Sequence, residues 1–512
     1  MPHSPADSIE LAVPTPALAR TPAALSRSSS YGSLDSKHTI TDTPLAHLGD
    51  LSRLSTLPGG PGSPVEEEPA QRMRRLSMGD EDHEGAELRP VDKGRGAWTF
   101  VVAGFFLETF IWGFSYSFPS VLVWLQRNDP WQSSSLAALS AIGTVLLAIQ
   151  FIIPIVFMNA FRRYPDWIKP MLWISLVINC GSMLIASWAT KVWQLILLIG
   201  VLGGISGAVL YAPVLLWLNS WFHMKRGLAS GIVFAGTGIG GLAFPFLLSA
   251  LLRHGGFPLM CRAWAGITAG VYAVSVYFIE PRVPLPRRVA KGNRAPWFGG
   301  AGDLSFLKDP VVVAMTLTTL IFSLSTFPVT LYLPTYALSL ASPSSSDLVV
   351  SIYNLAASVG STVVGYLTDV SLPLTVGVMG VGGAVLAFTA WGFANSLGTV
   401  FAFAVLFSLF TQICSAWGAA ARDAAGTNPH TSTLVFCVFG IVRGVASIVG
   451  PFISTTLYDP KVASGDDPAW GRFGFANVIV FVGVLSFVGA LGGPALWWAK
   501  RLSAKRRAAG RG

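Results

Sequence analysis

Twelve long apolar runs, separated by short polar interruptions, occupy most of the chain from position 98 onward. The runs lie at 98–125, 136–158, 170–189, 193–220, 227–251, 263–279, 311–337, 348–367, 373–394, 399–421, 433–456 and 475–499. Most of them reach the roughly 20 residues that a helix needs to cross the hydrocarbon core of a bilayer. Because lipid offers no partner to backbone polar groups, segments of this kind are predicted to be helices. The pattern predicts an all-α membrane protein with twelve transmembrane helices.

The longest polar interruption after the N-terminal region follows the sixth run, and it predicts two pseudo-symmetric six-helix halves. The first 92 residues are rich in Ser and Pro, a composition that buries too little apolar surface to fold. The predicted organisation is a disordered cytosolic tail (1–92), an N-terminal half (93–280), a cytosolic central loop (281–310), a C-terminal half (311–499) and a basic cytosolic tail (500–512).

Positive charge is distributed unequally between the two sets of loops. With an even number of spans, and counting from Lys93 onward, Lys and Arg outside the spans number 20 on the side of the termini and central loop and 6 on the other side. The positive-inside rule then predicts that both termini and the central loop are cytosolic. We predict a multi-pass protein of the plasma membrane, with the vacuolar membrane as the alternative.

Composition excludes several classes of protein. Hydrophobic residues make up 52% of the chain and charged residues only 12%, whereas soluble proteins carry about 25% charged residues. The four cysteines show no metal-ligand spacing and no disulfide framework. The runs contain no paired carboxylates and no nucleophile–base set. We therefore expect that the protein is not an enzyme and that it binds no metal, no cofactor and no nucleic acid.

The stretch 221–241 joins a basic turn, Lys225 and Arg226, to a glycine-rich apolar run. Its literal G-x-G-x-x-G lies well inside that run, and no acidic residue follows before Glu280, so a dinucleotide site is rejected. Several small residues share one helix face and predict close contact with another helix, across the halves or within one half. They are Gly227, Gly231, Ala235 and Gly238.

Six plus six helices around a basic loop resemble the major facilitator transporters, and three motifs resemble their monocarboxylate-porter-like family. These are the stretch 221–241, the first-run element Gly113-Phe-Ser-Tyr-Ser-Phe-Pro119, and an eighth-run element from Asn354 through Ser361 and Gly365 to Asp369. The family is common in fungi. The resemblance implies alternating access between two halves, and a cytosolic gate that includes the basic turn, Gly365 and Asp369.

Two positions depart from that family. Its carriers of lactate-like acids usually have Lys after the first-run Phe-Pro and Arg before the eighth-run Gly, where this chain has Ser120 and Ser361. A carboxylate in a low-dielectric cavity needs a compensating cation. The departures weaken the prediction of simple monocarboxylate–proton symport.

Two charged residues are predicted to lie deep in the membrane, Glu108 in the first run and Arg443 in the eleventh. A charge at this depth costs several kcal/mol and is a candidate functional group. Glu108 is the candidate proton-coupling group, and Arg443 is the candidate anchor for an anionic solute or the partner of Glu108. The alternative is a structural role in holding helices together.

Further candidates are polar or aromatic. Tyr116, Tyr332 and Asn354 are candidates for lining a central cavity, as are four other aromatic residues, Trp112, Phe118, Phe327 and Tyr336. Asp369 ends a helix and needs a nearby cation, for which Arg422 is available, with Asp423 in the same cluster. Ser77 follows two arginines and resembles a kinase target.

The sequence predicts a secondary-active transporter for a small organic solute, a monocarboxylate-like acid or related metabolite, with possible proton coupling. One alternative is a carrier of a riboflavin-like vitamin or an exporter of a secondary metabolite. Another is a transport-derived nutrient sensor. The predicted partners are the solute, protons and the lipid bilayer.

Overall fold

The computed structural model describes residues 90–222, 225–282, 303–340, 343–425, 429–459 and 469–509, and all regular secondary structure in these ranges is helical. The candidate phosphorylation site Ser77, most of the predicted N-terminal tail and most of the predicted central loop lie outside the described residues.

The helices that precede the central loop are α1 (Arg95–Leu125), α2 (Leu136–Ile152), α3 (Pro154–Arg163), α4 (Ile168–Ala186), α5 (Val192–Leu195), α6 (Gly203–Trp221) and α7 (Arg226–Phe278). A π-helical turn, Ile196–Leu202, joins α5 to α6. The Ser135 side chain begins α2 by accepting a hydrogen bond from the Ala138 N–H at 3.2 Å, the expected role of a serine at an N-cap.

The helices that follow the central loop are α8 (Pro310–Leu340), α9 (Pro343–Leu386), α10 (Leu397–Phe410), α11 (Trp417–Ala425), α12 (Pro429–Leu457), α13 (Ala476–Ala490) and α14 (Gly492–Ala509). Short turns, Asp303–Lys308 and Ile413–Ala416, precede α8 and α11. A π-helical turn, Ala387–Trp391, extends α9. Helix α14 runs on through the boundary predicted at residue 500 into the basic C-terminal region.

Ten helical segments in the described ranges are long and apolar enough to cross a membrane, compared with the twelve runs in the sequence. Two of them, Leu228–Phe278 and Ser344–Trp391, contain 51 and 48 residues, and each includes two of the predicted runs. Their backbones leave helical geometry at Gly255 and Gly256 in one and at Ser371 in the other. Each is more than twice the length that a single crossing of about 20 residues requires.

The outer surface of the helices is strongly apolar. Val177, Tyr366 and Val370 expose 66%, 72% and 72% of their surface, and many other large apolar side chains are similarly exposed. A soluble protein rarely exposes apolar patches of this extent. Together with the long apolar helices, this surface identifies the chain as a multi-pass membrane protein.

The glycine-rich part of α7 packs between two other helices. A Cβ atom at Gly236 would lie 2.6 Å from the backbone oxygen of Phe105 in α1, and one at Gly241 would lie 2.6 Å from Cβ of Asn354 in α9. The neighbouring helices therefore leave no room for a side chain on either face. Gly231, in contrast, has open space around its Cα, so the predicted contact face is correct near Gly238 and wrong at Gly231.

Candidate functional site

Arg443 lies in the interior of the helical bundle with only 6% of its surface exposed. Its Nη1 donates a hydrogen bond to Ser323 Oγ of α8 at 3.2 Å, and its Nε has no partner. The guanidinium carbon lies 4.9 Å from the ring centre of Phe327 in α8 and 5.4 Å from that of Phe151 in α2. No carboxylate of the described residues pairs with this buried cation.

Two tyrosines complete the surroundings of Arg443. The hydroxyls of Tyr116 in α1 and Tyr353 in α9 lie within electrostatic reach of the guanidinium, and the buried Tyr353 hydroxyl has no hydrogen-bond partner. Trp112 extends the cluster, because its ring lies 6.1 Å from that of Tyr116 and 4.8 Å from that of Phe151. Helices from both sides of the central loop thus form one aromatic site around a single cation.

Glu108 forms a second buried polar site, between α1 and α7. Its Oε1 accepts a hydrogen bond from Thr237 Oγ1 at 2.6 Å, its Oε2 has no partner, and only 4% of the residue is exposed. The phenol of Tyr211 in α6 lies beside the same carboxyl group. Thr237 is in the glycine-rich stretch, so the small residues that flank it let its hydroxyl reach α1.

Glu108 and Arg443 do not form a hydrogen bond or an ion pair with each other in this structure. Tyr116 lies within electrostatic reach of both groups. The structure therefore shows no direct pairing of Glu108 with Arg443, which was one of the two roles considered for Arg443. Each group has its own neutral hydrogen-bond partner.

Asn354 connects α9 to the helices that precede the central loop. Its Nδ2 donates to the Tyr116 backbone oxygen at 3.4 Å and to the Gly241 backbone oxygen at 3.2 Å. Ser358 lies one turn after Asn354 and packs against Gly238. A Cβ atom added to Gly238 would lie 2.6 Å from the Cβ atom of Ser358. The interface between α7 and α9 therefore depends on glycines on one side and small polar residues on the other.

Three predicted site residues lie outside the Arg443 cluster. Tyr332 shares a hydrogen bond of 2.6 Å with Thr455 and stacks on Tyr458. Ser120 is buried with an unpartnered hydroxyl, next to Asp347 at the start of α9. Ser361 donates to the backbone oxygen of Ser358 within its own helix. No polar or ring contact joins these three to Arg443 in the described chain.

The predicted gate residues Gly365 and Asp369 lie within α9, shortly before its non-helical residue Ser371. Asp369 forms an exposed ion pair with Arg422, the cation expected near it, while Asp423 pairs with Lys500 at 2.8 Å. Gly365 is loosely surrounded, because a Cβ atom added to it would lie 4.0 Å from Cβ of Ser415. The side-chain surroundings of Arg226 and Gly227 are outside the described set.

The basic turn before α7 is tied to the start of α1. The Lys225 N–H donates to Asp92 Oδ1 at 2.9 Å, and the Asp92 N–H donates to the Trp221 backbone oxygen at 3.0 Å. Trp221 Nε1 in turn donates to the Glu280 backbone oxygen at 2.9 Å. This part of the motif fastens the ends of α1, α6 and α7 to one another.

Sequence reasoning missed Thr237, Tyr211, Ser323, Phe151 and Tyr353. Uncharged polar and aromatic side chains are common in membrane helices, and their partners lie on distant segments. In the sequence, the charges within apolar runs stood out as candidate site residues, and no comparable signal pointed to these five residues.

The sequence profile of the Major Facilitator Superfamily matches residues 100–451. The chain is 30% identical over 297 residues to MFS-type transporter pytF of Aspergillus terreus, covering 57% of this chain and 96% of the relative. It is 24% identical over 424 residues to the Fujikurins efflux protein of Gibberella fujikuroi, covering 81% and 85%. The fold is similar to the crystal structure of the nucleoside transporter NupG, with a TM-score of 0.57 and 12% identity over 78% of this chain and all of NupG.

Proposed function

Because the chain belongs to the Major Facilitator Superfamily and is a membrane transporter rather than an enzyme, we propose that it exports an anionic organic solute in exchange for protons. In this proposal Arg443 binds the solute and Glu108 carries the proton. The observation that carries it is the buried guanidinium of Arg443, which has no acidic partner among the described residues.

A buried cation without a counter-ion is unfavourable in a resting protein. Removing a guanidinium from water costs several kcal/mol, and neutral hydroxyls and two aromatic rings recover only part of that cost. A solute carboxylate or enolate supplies the missing charge. A bound anionic solute therefore offsets part of the cost of burying Arg443, and this favours solute binding at this position.

Glu108 suits proton coupling because it is separate from Arg443. Its hydrogen bond comes from Thr237, a neutral donor, and its second oxygen has no partner. A carboxyl in this setting is not locked in the ionised form by an ion pair, so it can take up and release a proton during the cycle. Tyr116 is within electrostatic reach of both groups, so in this proposal it couples the charge at one site to the charge at the other.

Alternating access supplies the movement. We propose that the two longest helical segments each cross the membrane twice, which gives twelve crossings in two halves with both termini cytosolic. The contacts of α9 with α7 and of α12 with α2 then form the boundary between the halves. These contacts involve small residues, such as Gly444 against Ala148 and Ile152, and small residues allow helices to rock without side chains interlocking.

Export of a secondary metabolite is the function we favour over uptake of a lactate-like acid. Ser120 and Ser361 replace the cations of the lactate-type carriers, and neither contacts Arg443. The Fujikurins efflux protein, which matches most of this chain, is named for export of such a compound. We propose the plasma membrane as its location.

Reconstituted protein provides the test. Proteoliposomes loaded with a panel of organic acids, neutral metabolites and sugars are assayed for efflux with and without an inward proton gradient. We expect efflux of one or more acids that the gradient accelerates and that Arg443→Gln abolishes. Arg127→Gln, which removes an exposed loop charge, is the matched control. Efflux of acids by Arg443→Gln at the wild-type rate contradicts the proposal.

A further inference from the structure

The chemistry around Arg443 also restricts the class of solute, and this inference rests on the proposed function. Three buried donors of Arg443 and its aromatic cluster have no acceptor: Arg443 Nε, Trp112 Nε1 and the Tyr353 hydroxyl. Guanidinium and indole N–H groups can only donate. An unsatisfied buried donor costs about as much as a lost hydrogen bond. The ligand that satisfies this site must therefore bring several acceptor oxygens.

The walls of the site are aromatic rather than aliphatic. Phe151 and Phe327 lie within cation–π distance of Arg443, and Trp112 packs on both Phe151 and Tyr116. Two of these rings already contact the charged group, so the body of a ligand whose anion reaches Arg443 lies next to aromatic rings. Ring faces attract the edge or face of another π-system more strongly than a saturated chain of equal size.

The unpartnered donors and the aromatic walls occur in one cluster of the bundle. We propose that the Arg443 site selects a conjugated or aromatic organic acid, whose ionised oxygens meet Arg443 and whose ring packs against Trp112, Phe151 and Phe327. Such a ligand supplies the negative charge, the acceptor oxygens and the planar surface together. A short aliphatic acid supplies the charge and acceptor oxygens but leaves the rings without a partner.

Four probe compounds separate these contributions in purified wild-type protein. 2-Naphthoate carries both the charge and the rings, decahydro-2-naphthoate keeps the charge and similar bulk without the π-system, 2-naphthamide keeps the rings without the charge, and lactate is the short acid. Binding is measured by quenching of tryptophan fluorescence and by isothermal titration calorimetry. Because all four are compared on the unmodified chain, the result does not depend on whether a variant folds.

We expect 2-naphthoate to bind roughly tenfold more tightly than its saturated analogue, which lacks the π-system. We expect it to bind at least about tenfold more tightly than the amide, which lacks the charge-assisted hydrogen bonds. Lactate should bind most weakly. Equal binding of 2-naphthoate and decahydro-2-naphthoate, equal binding of the acid and the amide, or failure of 2-naphthoate to bind would overturn the inference.

Two substitutions place the binding at this site. Phe327→Leu keeps apolar volume but removes a ring, and it should reduce the preference for 2-naphthoate over its saturated analogue. The control is Phe393→Leu, because Phe393 is 59% exposed on the outer surface. Arg443→Lys keeps the charge without the planar donor edge, and should weaken binding of both acids. Unchanged binding in both variants overturns the assignment to this site.

Binding and transport fail in distinguishable ways. If the aromatic acid binds as expected but no compound crosses the proteoliposome membrane, the proposed transport function is wrong and the ligand class stands. If neutral or aliphatic solutes are transported while 2-naphthoate neither binds nor competes, the function stands and the ligand class is wrong.

Discussion

Thr237 Oγ1 donates a hydrogen bond of 2.6 Å to Glu108 Oε1, and this contact joins α7 to α1 at the level of the buried carboxyl group. The contact exists because glycines flank Thr237. With a Cβ at Gly236, the backbone of α1 at Phe105 would be 2.6 Å away, and the helices would have to separate. The glycine-rich stretch thus positions the proposed proton carrier as well as allowing the helices to approach.

Removal of this hydrogen bond should impair proton-driven transport. Thr237→Val keeps the shape of the side chain and removes the donor, and we expect about a tenfold loss of gradient-driven efflux, the order expected for a hydrogen bond to a charged group. Thr237→Ser keeps the hydroxyl and should retain most of the rate. Efflux rates in proteoliposomes provide the measurement, and equal rates for both variants would show that the contact is unimportant.

The packing of α7 against α1 should be sensitive to a single methyl group. Gly236→Ala places a carbon against backbone, and we expect it to destabilise the protein by about 1–3 kcal/mol, as for other overpacked sites. Gly231→Ala meets open space and should be neutral or slightly stabilising, because alanine favours helix. The thermal unfolding temperatures of the two variants in detergent make the comparison; a similar shift in both would contradict this packing.

Asn354 should influence the transport cycle more than the fold. Asn354→Ala removes two hydrogen bonds to backbone oxygens across the α7–α9 interface and the neighbouring α1 but leaves the glycine packing in place. We expect a change of several-fold in the transport rate and a loss of stability of about 1–2 kcal/mol. Ser361→Ala, which loses only a bond within its own helix, is the control. The idea fails if both variants transport at the wild-type rate.

The Asp369–Arg422 ion pair is exposed and should add little to stability. Each side chain is at least 60% exposed, and exposed pairs contribute about 0–1 kcal/mol. A gate role predicts a different result for transport: Asp369→Arg and Arg422→Asp each slow efflux, and the double reversal restores part of the rate. If the double variant is slower than both single variants, the pair is not a gate contact.

The proposed orientation can be tested by labelling. In a chain whose four cysteines are replaced by serine, Lys191→Cys should react with an impermeant maleimide added to intact cells. Lys308→Cys, on the central loop, should react only after permeabilisation, as the positive-inside rule predicts. The reverse pattern would place the termini and the central loop outside the cell.

Sequence patterning predicted the helical, lipid-facing character of the chain, because apolar runs of this length have no other stable arrangement in a membrane. It also identified Glu108 and Arg443, since charges within such runs are rare. It left their relationship open, because pairing between distant helices depends on rotation and depth that one run cannot specify. The aromatic surroundings of Arg443 were only partly predictable for the same reason: Phe327 was a candidate and Phe151 was not.

The assignment of Arg443 to the solute and Glu108 to the proton is tested most directly by measuring solute exchange and proton-driven transport separately in the same proteoliposomes. Glu108→Gln should still exchange labelled solute for unlabelled solute at a rate close to wild type, but should lose acceleration by a proton gradient. Arg443→Gln should lose both activities. If Glu108→Gln keeps its response to the gradient, or Arg443→Gln keeps solute exchange, the assignment of one site to the proton and the other to the solute is contradicted.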